Sequence, residues 1–310
     1  MLYYRFPGEE IQTLSGNFTE VDSFDDQGFI ITNFEQNKKY IWDKSAQENS
    51  PILSAPYCIE KEVYLRQAEQ LIADLQKGVA DKIVYSRIKK APTPIENGYA
   101  LFERMLSTYP NALVYYFEHT ILGSWLGASP EILLEKTPAH YRTMALAGTK
   151  KAGENRDFTY KEYNEHALVT EFIEGQLRQI PGANLQVSDL KEYSPGPVTH
   201  LLQELTWQMP QSVLPLLLKH LHPTPAVAGL PQKVALQYIS ALEAHHRDLY
   251  TGIIGRYVNG QEKLFVNLRC GQLINQDLYI YVGGGFTADS EPELEWQETE
   301  NKSKTLLQLL

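Results

Sequence analysis

LYTGIIGRYVNGQEKLFVNLRCGQLINQDLYIYVGGGFTADSEPELEWQETENKSKTLLQLL, residues Leu249 to Leu310, alternates strand-like and polar segments before it turns helical. Three segments rich in branched and aromatic residues, LYTGIIGRYV (249–258), KLFVNLRCGQL (263–273) and LYIYVGGGF (278–286), predict strands separated by polar turns. A capped helix follows, opened by Ser290, Pro292 and Glu293 and carrying Glu295, Glu298 and Lys302 on neighbouring turns. Gly283, Gly284 and Gly285 let backbone N–H groups approach an oxyanion with no side chain in the way, and two carboxylates spaced i,i+3 share a helix face that can hold a hard metal ion. The plain alternative is a flexible glycine turn beside a solvated acidic helix face, and this segment alone leaves both open.

Working outward, the first 60 residues read as β-rich, with alternating segments such as GFIITNF (28–34) and KKYIWD. Helical spacing of apolar residues predicts helices over 61–77, 100–108, 200–208, 211–218 and 233–247, and a long one whose stripe is Leu168, Val169, Phe172, Ile173 and Leu177. Strands are expected at DKIVYSRIKKA (81–91), in two or three pieces over 112–137 with a break at Ala128 to Pro130, and from Tyr141 to Ala147. Strands and helices come in blocks without a regular βαβ period. The fold class is therefore α+β with large antiparallel sheets.

The chain has 310 residues, enough for a substantial core, and a formal net charge of −10, which argues against a nucleic-acid partner. Its two cysteines, Cys58 and Cys270, form no metal-type spacing, and a reducing, cytoplasmic setting is expected. Neither a targeting segment nor an apolar run long enough for a membrane span is read, and nothing demands more than a monomer.

Candidate chemistry lies in a few places. Glu162 and Glu165 form a second i,i+3 acidic pair, and two such pairs from distant helices could meet around one Mg²⁺. Clustered His and Cys are absent, which disfavours zinc. Lys82, sharing a strand face with Val84, is either exposed or functional, and a buried lysine can act as a general base. Glu131, at the strand break, suits a general acid if desolvation raises its pKa. Arg269, placed within an apolar strand, needs a carboxylate or a bound anion as partner. His200 and His222 have no sequence neighbours that mark a triad, and no nucleotide loop is present.

DKIVYSR (81–87), GASPEILLEK (127–136), LAGTKKAG (146–153), KEYNEHALV (161–169), LHPTPAVAGLPQKVA (221–235), RDLYTGIIG (247–255), NLRCGQL (267–273), YVGGGF (281–286) and EWQETENKSKTLL (295–307) together resemble, in order, the chorismate-utilising enzymes. The resemblance covers 61–310 as the chorismate-binding catalytic region, with 1–60 as a shortened, less clearly matching part of the same domain. It implies two large, mainly antiparallel sheets packed face to face with helices outside. Within the family the water-adding members, isochorismate synthases of menaquinone or siderophore type, look most similar. The resemblance implies Lys82 as the base that activates water for attack at C2, and Glu131 as the acid that protonates the departing C4 hydroxyl. It implies Glu165 and Glu298 as Mg²⁺ ligands, with Glu162 and Glu295 as neighbouring acids that orient its water. Gly283, Gly284, Gly285, Arg269 and Lys302 match positions that receive substrate carboxylates, and Gly148, Thr149 and His200 match the ring pocket. Lys82 in place of glutamine, Ala147 in place of a nucleophilic lysine, and Ala226 in place of threonine or serine point away from the aminating branches. Hence no glutaminase subunit is expected. Salicylate synthases share the Lys82 and Glu131 chemistry and remain the alternative.

Overall fold

Residues 1–23, 27–44, 54–93, 97–210 and 213–310 are described by the structure, a computed structural model. In chain order come β1 (Leu2–Arg5), β2 (Gln12–Leu14), β3 (Asn17–Val21), β4 (Gly28–Thr32), β5 (Lys39–Asp43), α1 (Lys61–Gln76), β6 (Lys82–Pro92) and α2 (Gly98–Thr108). Next are β7 (Leu113–His119), β8 (Gly123–Ser129), β9 (Ile132–Lys136), β10 (Tyr141–Lys151), α3 (Tyr160–Leu177), β11 (Gln186–Val187), β12 (Lys191–Tyr193) and β13 (Val198–Trp207). The chain ends with α4 (Leu214–Leu221), β14 (Gly229–Leu230), α5 (Gln232–Leu242), β15 (Ile253–Tyr257), β16 (Lys263–Val266), β17 (Cys270–Ile274), β18 (Asp277–Phe286) and α6 (Pro292–Leu307).

Among the described residues two sheets result, one of eight strands in the order β14-β6-β18-β17-β8-β7-β1-β2 and one of ten in which β11-β13-β10-β9-β16-β15-β4-β5-β3 run side by side and β12 joins β13. Neighbouring strands pair antiparallel throughout the described residues. One apolar layer takes side chains from both sheets, among them Tyr115, Phe117, Trp125 and Tyr281 from the first and Phe29, Leu146, Leu202 and Phe265 from the second. It is the interior of a face-to-face sandwich, and each such side chain contributes about 1.5–3 kcal/mol on burial. Outside, α3 and α4 cover the ten-stranded sheet, while α2 and the end of α6 cover the other. The first five strands are built into both sheets, so the N-terminal part shares this body.

Several expectations are corrected here. Of residues 200–208, expected as helix, 200–207 belong to β13, which pairs with β10, β11 and β12. Its apolar spacing fits either period, and the flanking strands decide. Leu202 enters the inter-sheet layer while Leu205 and Trp207 point to the helix side; the period of two therefore turns His200 toward the interior. The helix expected at 211–218 runs from Leu214 to Leu221, and residues 211 and 212 lie outside the described residues. The helix expected to reach Arg247 stops at Leu242. Segment 263–273 is not one strand: β16 lies in the ten-stranded sheet and β17 in the eight-stranded one, with Arg269 in the link at φ 51°. Ser290 does not cap α6, whose N-cap Glu291 makes no side-chain cap bond. Ser290 Oγ donates to Glu295 Oε1 instead, at 2.7 Å.

Candidate active site

The chain passes between the sheets twice at one place. β8 and β17 pair in one sheet, β9 and β16 pair in the other, and the links 130–131 and 267–269 connect them. The two links bind each other: Ala128 N–H donates to Arg269 C=O at 3.1 Å and Val266 N–H to Glu131 C=O at 3.0 Å. A strand that changes sheets leaves a gap in both ladders. A cavity opens there, lined by residues of both sheets together with α3 and α6.

Its wall carries Glu131, Thr149, Glu165, His200, Arg269, Gly283 to Gly285 and Lys302, with Ala147, Ala226 and other apolar groups between them. Lys82 does not itself face the open space. Its chain runs beside Gly285, and its Nζ, buried, forms an ion pair at 2.9 Å with Oε1 of Glu165, which does line the cavity. Gly148 sits in a β-bulge of β10 at φ +70°, where an added Cβ would lie 2.8 Å from the Glu162 carbonyl. Only glycine fits both demands.

The three glycines are strand, not turn, pairing with Val84, Tyr85 and Ser86 of β6. Pairing of β18 with β17 ends at Ile280, so that edge of the glycine run faces the cavity without a strand beside it. Their missing side chains make room for acids. A Cβ on Gly284 would lie 2.9 Å from Glu295 Oε2, and one on Gly285 would lie 2.4 Å from Glu165 Oε1 and 2.7 Å from Lys82 Cε. Gly285→Ala is expected to cost about 1–3 kcal/mol of stability through this overlap, measurable by urea unfolding. A wild-type midpoint would contradict the packing described here.

Each acid is placed by its helix. In α3, Thr159 and Glu162 form a capping box, and Glu165, His166, Val169 and Ile173 continue one buried face. That face meets the sheet along most of its length but reaches the cavity at its first turns. In α6 the buried face is polar, through Glu295, Thr299 and Ser303. Glu165, Glu295 and Glu298 thus approach one another, with ammonium groups between them. Lys161 Nζ lies 2.7 Å from Glu295 and 3.7 Å from Glu165, and Lys302 Nζ lies 2.6 Å from Glu298 and 2.9 Å from the Gly283 carbonyl. Glu162 departs from the role expected of it, because Arg156 takes both of its oxygens at 2.7 and 2.9 Å.

Opposite environments set opposite protonation tendencies. Burial pushes the Glu131 carboxyl up to about 7, against the pull of Lys82, Arg269 and Lys302. Burial would also raise Glu165, but Lys82 first, then Lys161 and Lys302, bring it well below the usual carboxylate range. Burial raises Glu295 despite Lys161. Its Oε2 is buried without a hydrogen-bond partner. His200 is held neutral by burial and by Arg269 and Lys302. Arg269 Nη2 donates to His200 Nε2 at 2.9 Å, so the imidazole proton sits on Nδ1, facing the Gly148 carbonyl and the Thr149 hydroxyl at 3.3 and 3.2 Å. Arg269 Nη1 is buried and has no partner.

Among the described residues no three His, Cys, Asp or Glu side chains stand in a ready metal-holding arrangement. The donor set of Glu165, Glu295 and Glu298 is all oxygen, and the partnerless Glu295 Oε2 is a vacant donor, which fits a hard divalent cation once the ammonium groups yield. Tyr250, also on the wall, was missed by the sequence reading, although it lies inside the RDLYTGIIG motif. Lys161 was missed too; its place directly before Glu162 on a charged helix start was the only signal. No helix among the described residues is long and apolar enough to cross a membrane.

Over residues 12–310 the chain matches the family described as chorismate binding enzyme. It is 31% identical over 242 residues to the isochorismate synthase EntC of Escherichia coli strain K12, an alignment covering 73% of this chain and 61% of that one. The chain therefore spans about six-tenths of that relative's length. Isochorismate synthase DhbC of Bacillus subtilis strain 168 is 30% identical over 276 residues, covering 81% of this chain and 68% of DhbC. The structure of MenF, the menaquinone-specific isochorismate synthase from Escherichia coli, has the same fold, with a TM-score of 0.81 at 22% identity over 100% of this chain and 88% of MenF. Strands β2 to β5, whose resemblance is weaker by motif, fall inside the family match, which starts at residue 12, and the chain belongs to the chorismate-binding enzymes.

Proposed function

We propose that the protein is an isochorismate synthase, converting chorismate to isochorismate by adding water at C2 with loss of the C4 hydroxyl. The observation that carries this reading is Glu131, a cavity-wall carboxyl that burial keeps largely protonated up to about pH 7. An allylic exchange of hydroxyl groups needs such a proton donor, because hydroxide leaves poorly without one. Each well-placed proton transfer contributes about 10²–10⁴-fold in rate.

In this reading Lys82, held behind the cavity wall by its contact with Glu165, takes the proton of the attacking water once its Nζ leaves that carboxylate. Arg269 Nη1 offers its unpartnered N–H to a substrate carboxylate, and neutral His200 holds the other arm of the guanidinium. The free edge of Gly283 to Gly285 and the Lys302 ammonium support the second carboxylate. Ala147 and Ala226, small and inert, leave the ring faces clear and offer neither a nucleophile nor a hydroxyl. Glu165 and Glu298, with Glu295 beside them, would hold Mg²⁺, which when bound offsets the charge of the ring carboxylate.

Product analysis tests the reading. Purified protein given chorismate and Mg²⁺ is expected to form isochorismate, with no change on adding ammonia, and to lose turnover on chelation. Release of pyruvate with salicylate would make it a salicylate synthase, and ammonia-dependent anthranilate would place it in an aminating branch.

A further inference from the structure

Two short backbone stretches beside the cavity adopt conformations that most residues avoid. Asp248, Thr251 and Arg269 have φ of 48°, 61° and 51°. For a β-branched residue such as Thr251 this is a true outlier. Such strain persists only where the surroundings over-determine it, and it collects at functional sites.

Here the two stretches fix each other through Asn267, which is 0% exposed. Its N–H donates to the Gly252 carbonyl at 2.7 Å, and its carbonyl accepts from Thr251 N–H at 2.8 Å. Its side chain repeats the tie: Nδ2 donates to the Leu249 carbonyl at 2.8 Å, and Oδ1 accepts from the Tyr115 hydroxyl at 2.7 Å. A carbonyl can only accept, so the orientation of the amide is fixed. Bonds to 249, 251 and 252 bracket Tyr250, and two residues beyond Asn267 the chain reaches Arg269. Both Tyr250 and Arg269 line the cavity.

We propose that Asn267 is the positioning residue that sets Tyr250 and Arg269 as a pair, fixing their spacing for a carboxylate-bearing ligand. The choice of chorismate as that ligand rests on the function proposed above, whereas the seating of Arg269 against His200 does not. An alanine at 267 would keep the backbone bonds and lose only the amide. The side chain therefore supplies the lock on Leu249, and through it the approach of Tyr250 to the link that carries Arg269.

The test uses Asn267→Ala and Asn267→Asp, with Tyr115→Phe as control. Aspartate keeps the shape and the acceptor for Tyr115 but sets an oxygen against the Leu249 carbonyl. Tyr115→Phe removes the core partner of the same amide without touching residues 249–252. Both Asn267 variants are expected to weaken chorismate binding about tenfold or more by calorimetry. They should also move the ¹⁵N resonance of His200 Nε2, whose lone pair receives the Arg269 N–H. Tyr115→Phe should melt earlier yet leave both readouts at wild type. Asn267 variants that melt earlier with binding within about twofold and an unmoved His200 resonance would overturn the proposal. Should the wild type bind no chorismate, the functional reading fails by itself, and the His200 resonance alone then decides: a shift upholds the positioning role and no shift overturns it.

Discussion

Lys82→Ala is expected to lower chorismate turnover by about 10²–10⁴-fold while leaving substrate binding nearly intact, since a general base acts on the transition state more than on the bound ground state. Its position, buried and paired with Glu165, allows a sharper version. Lys82→Arg can keep a cation beside Glu165 but cannot serve as a base, because a guanidinium does not lose its proton in this range. Turnover should therefore stay as low in the arginine variant as in the alanine variant. Recovery by arginine would show that Lys82 contributes charge, not proton transfer, and unchanged turnover in the alanine variant would remove it from the chemistry altogether. Steady-state kinetics with a separate binding measurement distinguishes these outcomes.

The second large effect concerns Glu131. A general acid works in its protonated form, and this carboxyl is pushed up to about 7 by burial. Turnover that depends on it should fall as pH rises through about 7. Glu131→Gln should lose about 10²–10⁴-fold and lose that descending limb, because the amide has no acidic proton to give. Stability follows the same group. Between the ordinary carboxylate value and about 7, the folded state binds more protons here than the unfolded state, so this contribution to stability is fully present at lower pH and declines as pH rises through that window. Glu131→Gln should flatten that decline in unfolding measured against pH. A wild-type profile of turnover in the variant would contradict the acid role.

Much of this architecture was legible because it is local. Strand segments at 278–286 and 113–136 carry branched and aromatic runs with clear breaks, and the structure keeps them. The acidic pairs of α3 and α6 were visible by spacing, although spacing could not tell which acids face the cavity. Glu162 was diverted by Arg156, six residues earlier in a loop whose course the sequence does not give. The buried face of α6 escaped any hydrophobic count because Glu295, Thr299 and Ser303 are polar.

What stayed hidden depends on distant partners. β13 carries a pattern compatible with a helix, and only its ladder with β10 makes it a strand and aims His200 inward. The switch of sheets at 267–269 could not be read either, since NLRC continues an apolar run without a glycine or proline to mark the break. Yet this switch places Arg269 on the cavity wall and gives Asn267 its partners 249–252. Tyr250 was hidden for the same reason: its importance comes from facing Gly283, thirty-three positions later, where an added Cβ would lie 3.1 Å from its hydroxyl.

The most direct measurement of the central claim is initial-rate turnover of chorismate in ¹⁸O-labelled water with Mg²⁺ present, followed by mass spectrometry of the product. If water activated at Lys82 attacks C2 while Glu131 expels the C4 hydroxyl, isochorismate should carry one ¹⁸O, located in the C2 hydroxyl. Unlabelled isochorismate, or a product formed without a new hydroxyl at C2, would contradict the account.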